Sequence, residues 1–283
     1  MHWNKITLFS ALLSLMFGFG CNRDYTIDDR EKIEFGGETR TYRLHVPENY
    51  NGTDSLPIVF VLHGGRGNSK KAVQFTNGRF NQLSDRDGFL VVYPDGLKKN
   101  WNDGRGVQEY YSHANNVDDV GFIAHLIDHF SAIYPVDQSR IYATGASNGG
   151  FMSSRLACDM EDRIAAIAPV IAGIPKNITQ LCFLSRQIPV LMINGTEDKL
   201  VPWDGEFVRN LKEEDVLGEK LTVPETIDFW LDNLICISTP DSTYTLDEVP
   251  DDETSVTVRQ YNTCHQNAEF WFYEIIGGGH TWP

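Results

Sequence analysis

Continuous apolar runs and helical stripes alternate along this chain from about residue 39 onward. Thr39 to Val46 alternates with period two and predicts a strand. Pro57 to Leu62 (PIVFVL), Gly88 to Tyr93 (GFLVVY), Ile164 to Ile171 and Ile188 to Ile193 are apolar throughout. Such runs predict strands buried on both faces. Arg140 to Thr144 predicts a short strand and Phe270 to Ile276 a last one. Between residues 117 and 134, Val120, Ile123, Ile127 and Phe130 recur at helical spacing. Asp118 and Asp119 fall in that helix's first turn, at the positive end of its dipole. Asn148 to Met160 and Thr222 to Leu234 predict two further helices, and the acidic stretch Asp247 to Glu253 a surface loop. Apolar strands alternating with helices describe an α/β fold, a mostly parallel sheet covered on both faces.

Composition narrows the picture. The 283 residues, 41% of them hydrophobic, suffice for one large core. The formal net charge of -15 repels nucleic acid and anionic membranes, so uncharged partners are expected. Lys5 precedes an apolar run from Ile6 to Phe19, closed by Gly20 and Cys21. This reads as an export signal, too short to span a membrane comfortably. Residues 1–21 are therefore set apart from a single catalytic domain over 22–283. Cys21 directly after Gly20 resembles a lipoprotein cleavage site, although Gly18 stands where leucine is usual. Plain secretion and a lipid anchor on Cys21 both stay open; no other membrane attachment is expected. Cys158, Cys182, Cys236 and Cys264 remain, an even number that suggests two disulfides in an exported chain. Three pairings are possible. The local pairs Cys158–Cys182 and Cys236–Cys264 are favoured, each worth about 3 kcal/mol by loop entropy. No Cys/His spacing suggests a metal site.

The candidate chemistry centres on Gly145-Ala146-Ser147-Asn148-Gly149, a G-x-S-x-G elbow between a predicted strand and a predicted helix. A serine on so tight a turn needs small residues two before and two after it. A hydroxyl is a weak nucleophile until a base takes its proton. In folds with this elbow the chain order is nucleophile, acid, base. His280, in Gly277-Gly278-Gly279-His280 after the last strand, is the expected base; His265 reads as a surface residue. Asp198, just past the strand ending at Ile193, is the expected acid, with Glu197 and Asp204 as alternatives. The oxyanion donors expected are the N–H of Asn148 and that of Gly65, or of Arg66, in the turn after Leu62. His63 reads as a structural hydrogen-bonding residue. Trp101, Trp203 and Trp282 lie near these loops and are candidate substrate contacts, with plain packing, the commoner role of large aromatics, as the alternative for each.

The ordered motifs LHGGRGN, YPDG followed by Trp101, VDDVGFI, RIYATGASNGG, RLAC, DRIAAIAPV, INGTEDKLVPW and GGGHTWP span Leu62 to Pro283. In them the chain resembles the secreted esterases that include polyhydroxybutyrate depolymerases, feruloyl esterases and acetyl xylan esterases. The resemblance runs from about Thr39 to the end. It implies the α/β-hydrolase fold, no cofactor, an ester substrate, and a triad at Ser147, Asp198 and His280. It also supports the two local disulfides. One departure raises an expectation: such proteins continue past HTWP into a final helix, whereas Pro283 lies three residues after His280. His280 is then expected on a loose end, with a crippled binding protein as the alternative function.

Overall fold

The computed structural model describes residues 27–283, apart from 211, 213 and 214. The signal-like segment 1–21, with Cys21, lies outside the described residues. Two strands open the fold, β1 (Arg30–Phe35) and β2 (Glu38–His45). Gly36 and Gly37 join them at φ 63° and 79°, the positive values that a two-residue hairpin turn demands. Then follow β3 (Leu56–Leu62), α1 (Ser69–Phe75), α2 (Arg79–Asp87), β4 (Leu90–Pro94), α3 (Tyr111–Ala114), α4 (Asp119–Ile133) and β5 (Val136–Ala146). The second half holds α5 (Asn148–Asp159), β6 (Ala166–Val170), α6 (Lys176–Thr179), β7 (Val190–Gly195) and the small pair β8 (Phe207–Arg209) and β9 (Val216–Glu219). It ends with α7 (Val223–Asn233), β10 (Ser242–Leu246), β11 (Ser255–Tyr261) and β12 (Phe270–Ile276).

All strands but β8 and β9 share one sheet, in the order β1-β2-β4-β3-β5-β6-β7-β12-β11-β10. The six central strands, β4 to β12, pair in parallel; the two strands at each edge pair antiparallel. The sheet is thus mixed at its margins, with the expected parallel run at its centre. β1, β10 and β11 were not foreseen. Their residues are half-exposed or exposed on at least one face, so they lack the apolar run that marks a doubly covered strand. β5 is longer than its apolar part, since polar residues 137–140 continue a strand whose first residue, Val136, pairs with Leu56. Asp247 to Glu253 is the exposed connection between β10 and β11, as expected.

Alternate side chains of each central strand enter opposite layers. On one face Ile58, Phe60, Leu90, Val92, Val190 and Met192 pack with Phe122, Ile127 and Phe130 of α4, Leu156 of α5 and Trp230 of α7. On the other, Val59, Val61, Val91 and Tyr93 pack with Val73 of α1 and Phe80 and Leu83 of α2. Full burial of each large apolar side chain contributes about 1.5–3 kcal/mol. Both local disulfides, Cys158–Cys182 and Cys236–Cys264, are formed. Among the described residues, no helix is long and apolar enough to cross a membrane. None of their His, Cys, Asp and Glu groups could hold a metal ion.

Candidate active site

The strand order reverses between β3 and β5: β3 leads outward to β4, and β5 leads the other way to β6, β7 and β12. Loops leaving the carboxyl ends of β3 and β5 diverge there and leave a crevice. The turn after β3 carries Gly64 and Gly65, and the turn after β5 carries Ser147. Both line a cleft of about 520 Å³, together with His280 and Trp282.

Ser147 has φ 55° and ψ −119°, a strained conformation for a side-chain-bearing residue. Its N–H donates to the Val170 carbonyl at 3.0 Å, and its carbonyl accepts from Phe151 N–H at 2.9 Å. The small neighbours are required sterically. A Cβ on Gly145 would lie 2.7 Å from the Gly149 carbonyl carbon and 2.6 Å from the Leu62 oxygen. A Cβ on Gly150 would lie 2.6 Å from that of Ala172. The strain leaves the hydroxyl facing the cleft. Among the described residues it forms no hydrogen bond.

His280 Nδ1 donates to Asp198 Oδ2 at 2.7 Å. The other Asp198 oxygen accepts N–H groups from Leu200 and Val201, both at 2.8 Å, so the carboxylate is buried and fixed. Gly195, which closes β7, lets these two groups meet. A side chain there would collide with the Gly278 carbonyl, whose carbon lies 2.6 Å from a Cβ at Gly195. Backbone bonds then stitch the loops: Glu197 N–H to Gly278 O at 2.9 Å, and Gly277 N–H to the Thr196 hydroxyl at 2.9 Å. Trp282 stacks edge-on against Phe75 and Phe80. The segment carrying His280 is thus tied down at several points, in contrast to the loose end expected for it. Glu197 and Asp204 are exposed, as is His265.

Gly65 and Asn148 face each other across the crevice: a Cβ on Gly65 would lie 3.7 Å from that of Asn148. The Arg66 N–H is occupied, donating to Asn100 Oδ1 at 3.1 Å, which leaves Gly65 as the better-placed donor. Asn148 stands first in α5, where N–H groups have no intrahelical acceptor. Its side chain binds the Trp101 loop in both directions, accepting from Trp101 N–H at 2.8 Å and donating to Trp101 O at 3.1 Å. A third bond runs from its amide to Asp103 at 2.6 Å.

The three tryptophans separate. Trp101 is completely buried and donates its indole N–H to the His63 carbonyl at 3.0 Å. It braces the turn that begins at His63 and is too deeply buried to touch a substrate, so its candidacy as a substrate contact is corrected to a packing role. Trp203 packs on Phe272 and does not line the cleft, so it too is corrected to a packing residue. Only Trp282 lines the cleft. The residues that sequence reading missed are Asn100, Asp103, Arg105 and His113. Burial alone would raise the Asp103 carboxyl, but the adjoining Arg105 guanidinium, at 2.7 Å, and His113 bring it below the usual carboxylate range. The signal for Asp103 and Arg105 was the Asn-Asp-Gly-Arg run directly after Trp101; Asn100 and His113 left none.

His63 is structural, as expected. Its Nδ1–H donates to Gly64 O at 2.7 Å, and its Nε2 accepts from Gly96 N–H at 2.9 Å. Burial pushes its pKa down to about 4, outweighing the Gly64 bond and nearby Asp95, which act upward. An unfolded histidine titrates near 6.5. The unfolded chain therefore takes up this proton first as pH falls, and the fold loses stability between about pH 6.5 and 4. Thermal melts should show that loss, and a His63→Gln variant should flatten the slope over that window; an unchanged slope would refute the assignment.

The sheet, the elbow and the Asp198–His280 pair together define the α/β-hydrolase fold. Residues 40–176 match the model of the family described as Esterase PHB depolymerase, just under half of the chain. Relatives include feruloyl esterase B of Piromyces equi, 27% identical across 83% of this chain and 41% of its own length. A bifunctional acetylxylan esterase/xylanase of Neocallimastix patriciarum is 26% identical across 67% and 26%. Feruloyl esterase D of Neurospora crassa is 26% identical across 54% and 53%. The chain thus spans about half, or less, of the length of these relatives. Among solved structures, the acetyl xylan esterase of Aspergillus awamori superposes with a TM-score of 0.59 at 16% identity, covering 90% of this chain and 95% of that one. A ferulic acid esterase of Anaeromyces mucronatus gives 0.59 at 14% identity, covering 92% and 86%. Both support the fold.

Proposed function

We propose that this protein is an exported serine carboxylic ester hydrolase that works through an acyl-enzyme. The observation that carries the reading is the 2.7 Å bond between Asp198 and His280 at the cleft into which the Ser147 elbow opens. Ser147 Oγ attacks the ester carbonyl carbon while His280 Nε2 takes its proton. Asp198 holds Nδ1–H, so that Nε2 presents its lone pair. The carbonyl oxygen, now negative, accepts N–H groups from Gly65 and Asn148. Collapse of the intermediate expels the alcohol, which takes the proton from His280. A water then repeats the sequence on the acyl-enzyme and frees the acid. No cofactor enters these steps.

Feruloyl or acetyl esters of plant polysaccharide, or a polyhydroxyalkanoate polyester, are the substrate classes that the relatives' names suggest. Two disulfides and the apolar run at residues 6–19 support export, with Cys21 as the site of any lipid. The fixed position of His280 favours an active enzyme over a binding protein. The test is covalent. A fluorophosphonate probe should label the protein once, on the peptide carrying Ser147, and intact mass should show no label in Ser147→Ala. Labelling elsewhere, or none, would overturn the proposal.

A further inference from the structure

The cleft departs from the rest of the molecule in charge. The chain has 39 acidic residues against 24 lysines and arginines. Yet Arg66, Lys71, Arg105 and Arg209 line the cleft, and among the described residues no aspartate or glutamate does. Arg105 is nearly fully buried. Its guanidinium lies 4.5 Å from the Phe151 ring centre and bonds Asp103 behind it and the Leu217 carbonyl beside it. That pair is internally balanced. Arg66 and Lys71 are different. Both are exposed, they sit on one wall, and the Lys71 ammonium lies 3.4 Å from the Arg66 carbonyl. Among the described residues neither forms an ion pair.

Arg66, on the turn that carries Gly65, and Lys71, in the first turn of α1 just after it, form a local positive field within a protein of charge -15. A cleft walled by one sign of charge concentrates ligands of the other sign, with rate gains of about 10-fold or more. A neutral ester draws no advantage from Arg66 and Lys71 in its ground state. Resting on the esterase reading above, we propose that the preferred substrate is an ester that also carries a carboxylate, received by the Arg66–Lys71 wall. The uncharged partners expected from net charge are thereby replaced by an acidic ester at this one site.

Matched ester pairs test this. One pair, 4-acetoxybenzoate against 4-acetoxybenzamide, puts the carboxylate on the alcohol half. The other, 4-nitrophenyl hemiglutarate against 4-nitrophenyl pentanoate, puts it on the acyl half. The expected result is a kcat/KM about tenfold higher for the acidic member of at least one pair at low salt. The advantage should shrink as sodium chloride rises to several times the screening threshold near 0.1 M. In Arg66→Gln/Lys71→Gln the acidic-over-neutral ratio should fall to one or below. The same four esters are titrated into Ser147→Ala, where binding is read without hydrolysis. Equal rates and equal binding within both pairs, insensitive to salt, would overturn the proposal while leaving the esterase reading intact. Tighter binding of an acidic ester without turnover by the parent protein would do the reverse.

Discussion

Replacing Ser147 by alanine lowers kcat on any ester that the protein cleaves by roughly 10⁴- to 10⁶-fold, with little change in KM. The size follows from the work that the hydroxyl is assigned. Without it no acyl-enzyme forms, and only the oxyanion donors and substrate binding still act on a bare water. The same substitution should cost the fold almost nothing, because the hydroxyl makes no hydrogen bond among the described residues. Ser147→Gly goes further. It removes the side chain from a backbone held at φ 55°, ψ −119°, where such strain costs on the order of 1–3 kcal/mol. The inactive glycine variant should therefore melt above the parent. Steady-state kinetics and thermal melts on the three proteins check both halves. A fall in stability that matches the fall in rate would mean that Ser147 is a packing residue, and the site would need another nucleophile.

The parts of this arrangement that were legible in the sequence share a cause. The central strands could be read because burial on both faces leaves long apolar runs. The elbow could be read because its sterics restrict residue type at fixed spacing. Ser147, Asp198 and His280 each follow an apolar strand directly, so their place at its carboxyl end was implied by the chain itself. What escaped lacks such a local imprint. The edge strands β1, β10 and β11 are half-solvated, and their pairing is decided by neighbours distant in sequence. Asn100 was invisible because its role depends on a turn 34 residues earlier, where it holds the Arg66 N–H. Trp101 could not be decided between packing and substrate contact, because nearness to a motif does not tell which way an indole points. The overall charge predicted uncharged partners, but a sum over the chain says nothing about the side on which individual cations stand.

Gly149→Ala is the second large effect, and it falls on folding rather than chemistry. A Cβ at this position would meet the Leu62 carbonyl oxygen and stand 2.7 Å from both the Leu62 carbonyl carbon and the His63 oxygen. These are backbone atoms at the end of β3, a strand hydrogen-bonded on both sides to β4 and β5. Neither can swing aside as a flexible side chain would. Overpacking a well-filled interior costs about 1–3 kcal/mol when side chains can yield, and more when they cannot. A loss of about 4 kcal/mol or more is expected here, a large part of the 5–15 kcal/mol that holds a typical domain folded. Gly279→Ala is the matched control, since a Cβ there meets nothing within 4 Å. Denaturant unfolding should place Gly279→Ala within about 0.5 kcal/mol of the parent. Gly149→Ala should unfold at far lower denaturant or accumulate as aggregate. If Gly149→Ala instead matched its control, α5 would have to start farther from β3, and the contact that raises Ser147 into the cleft would be absent.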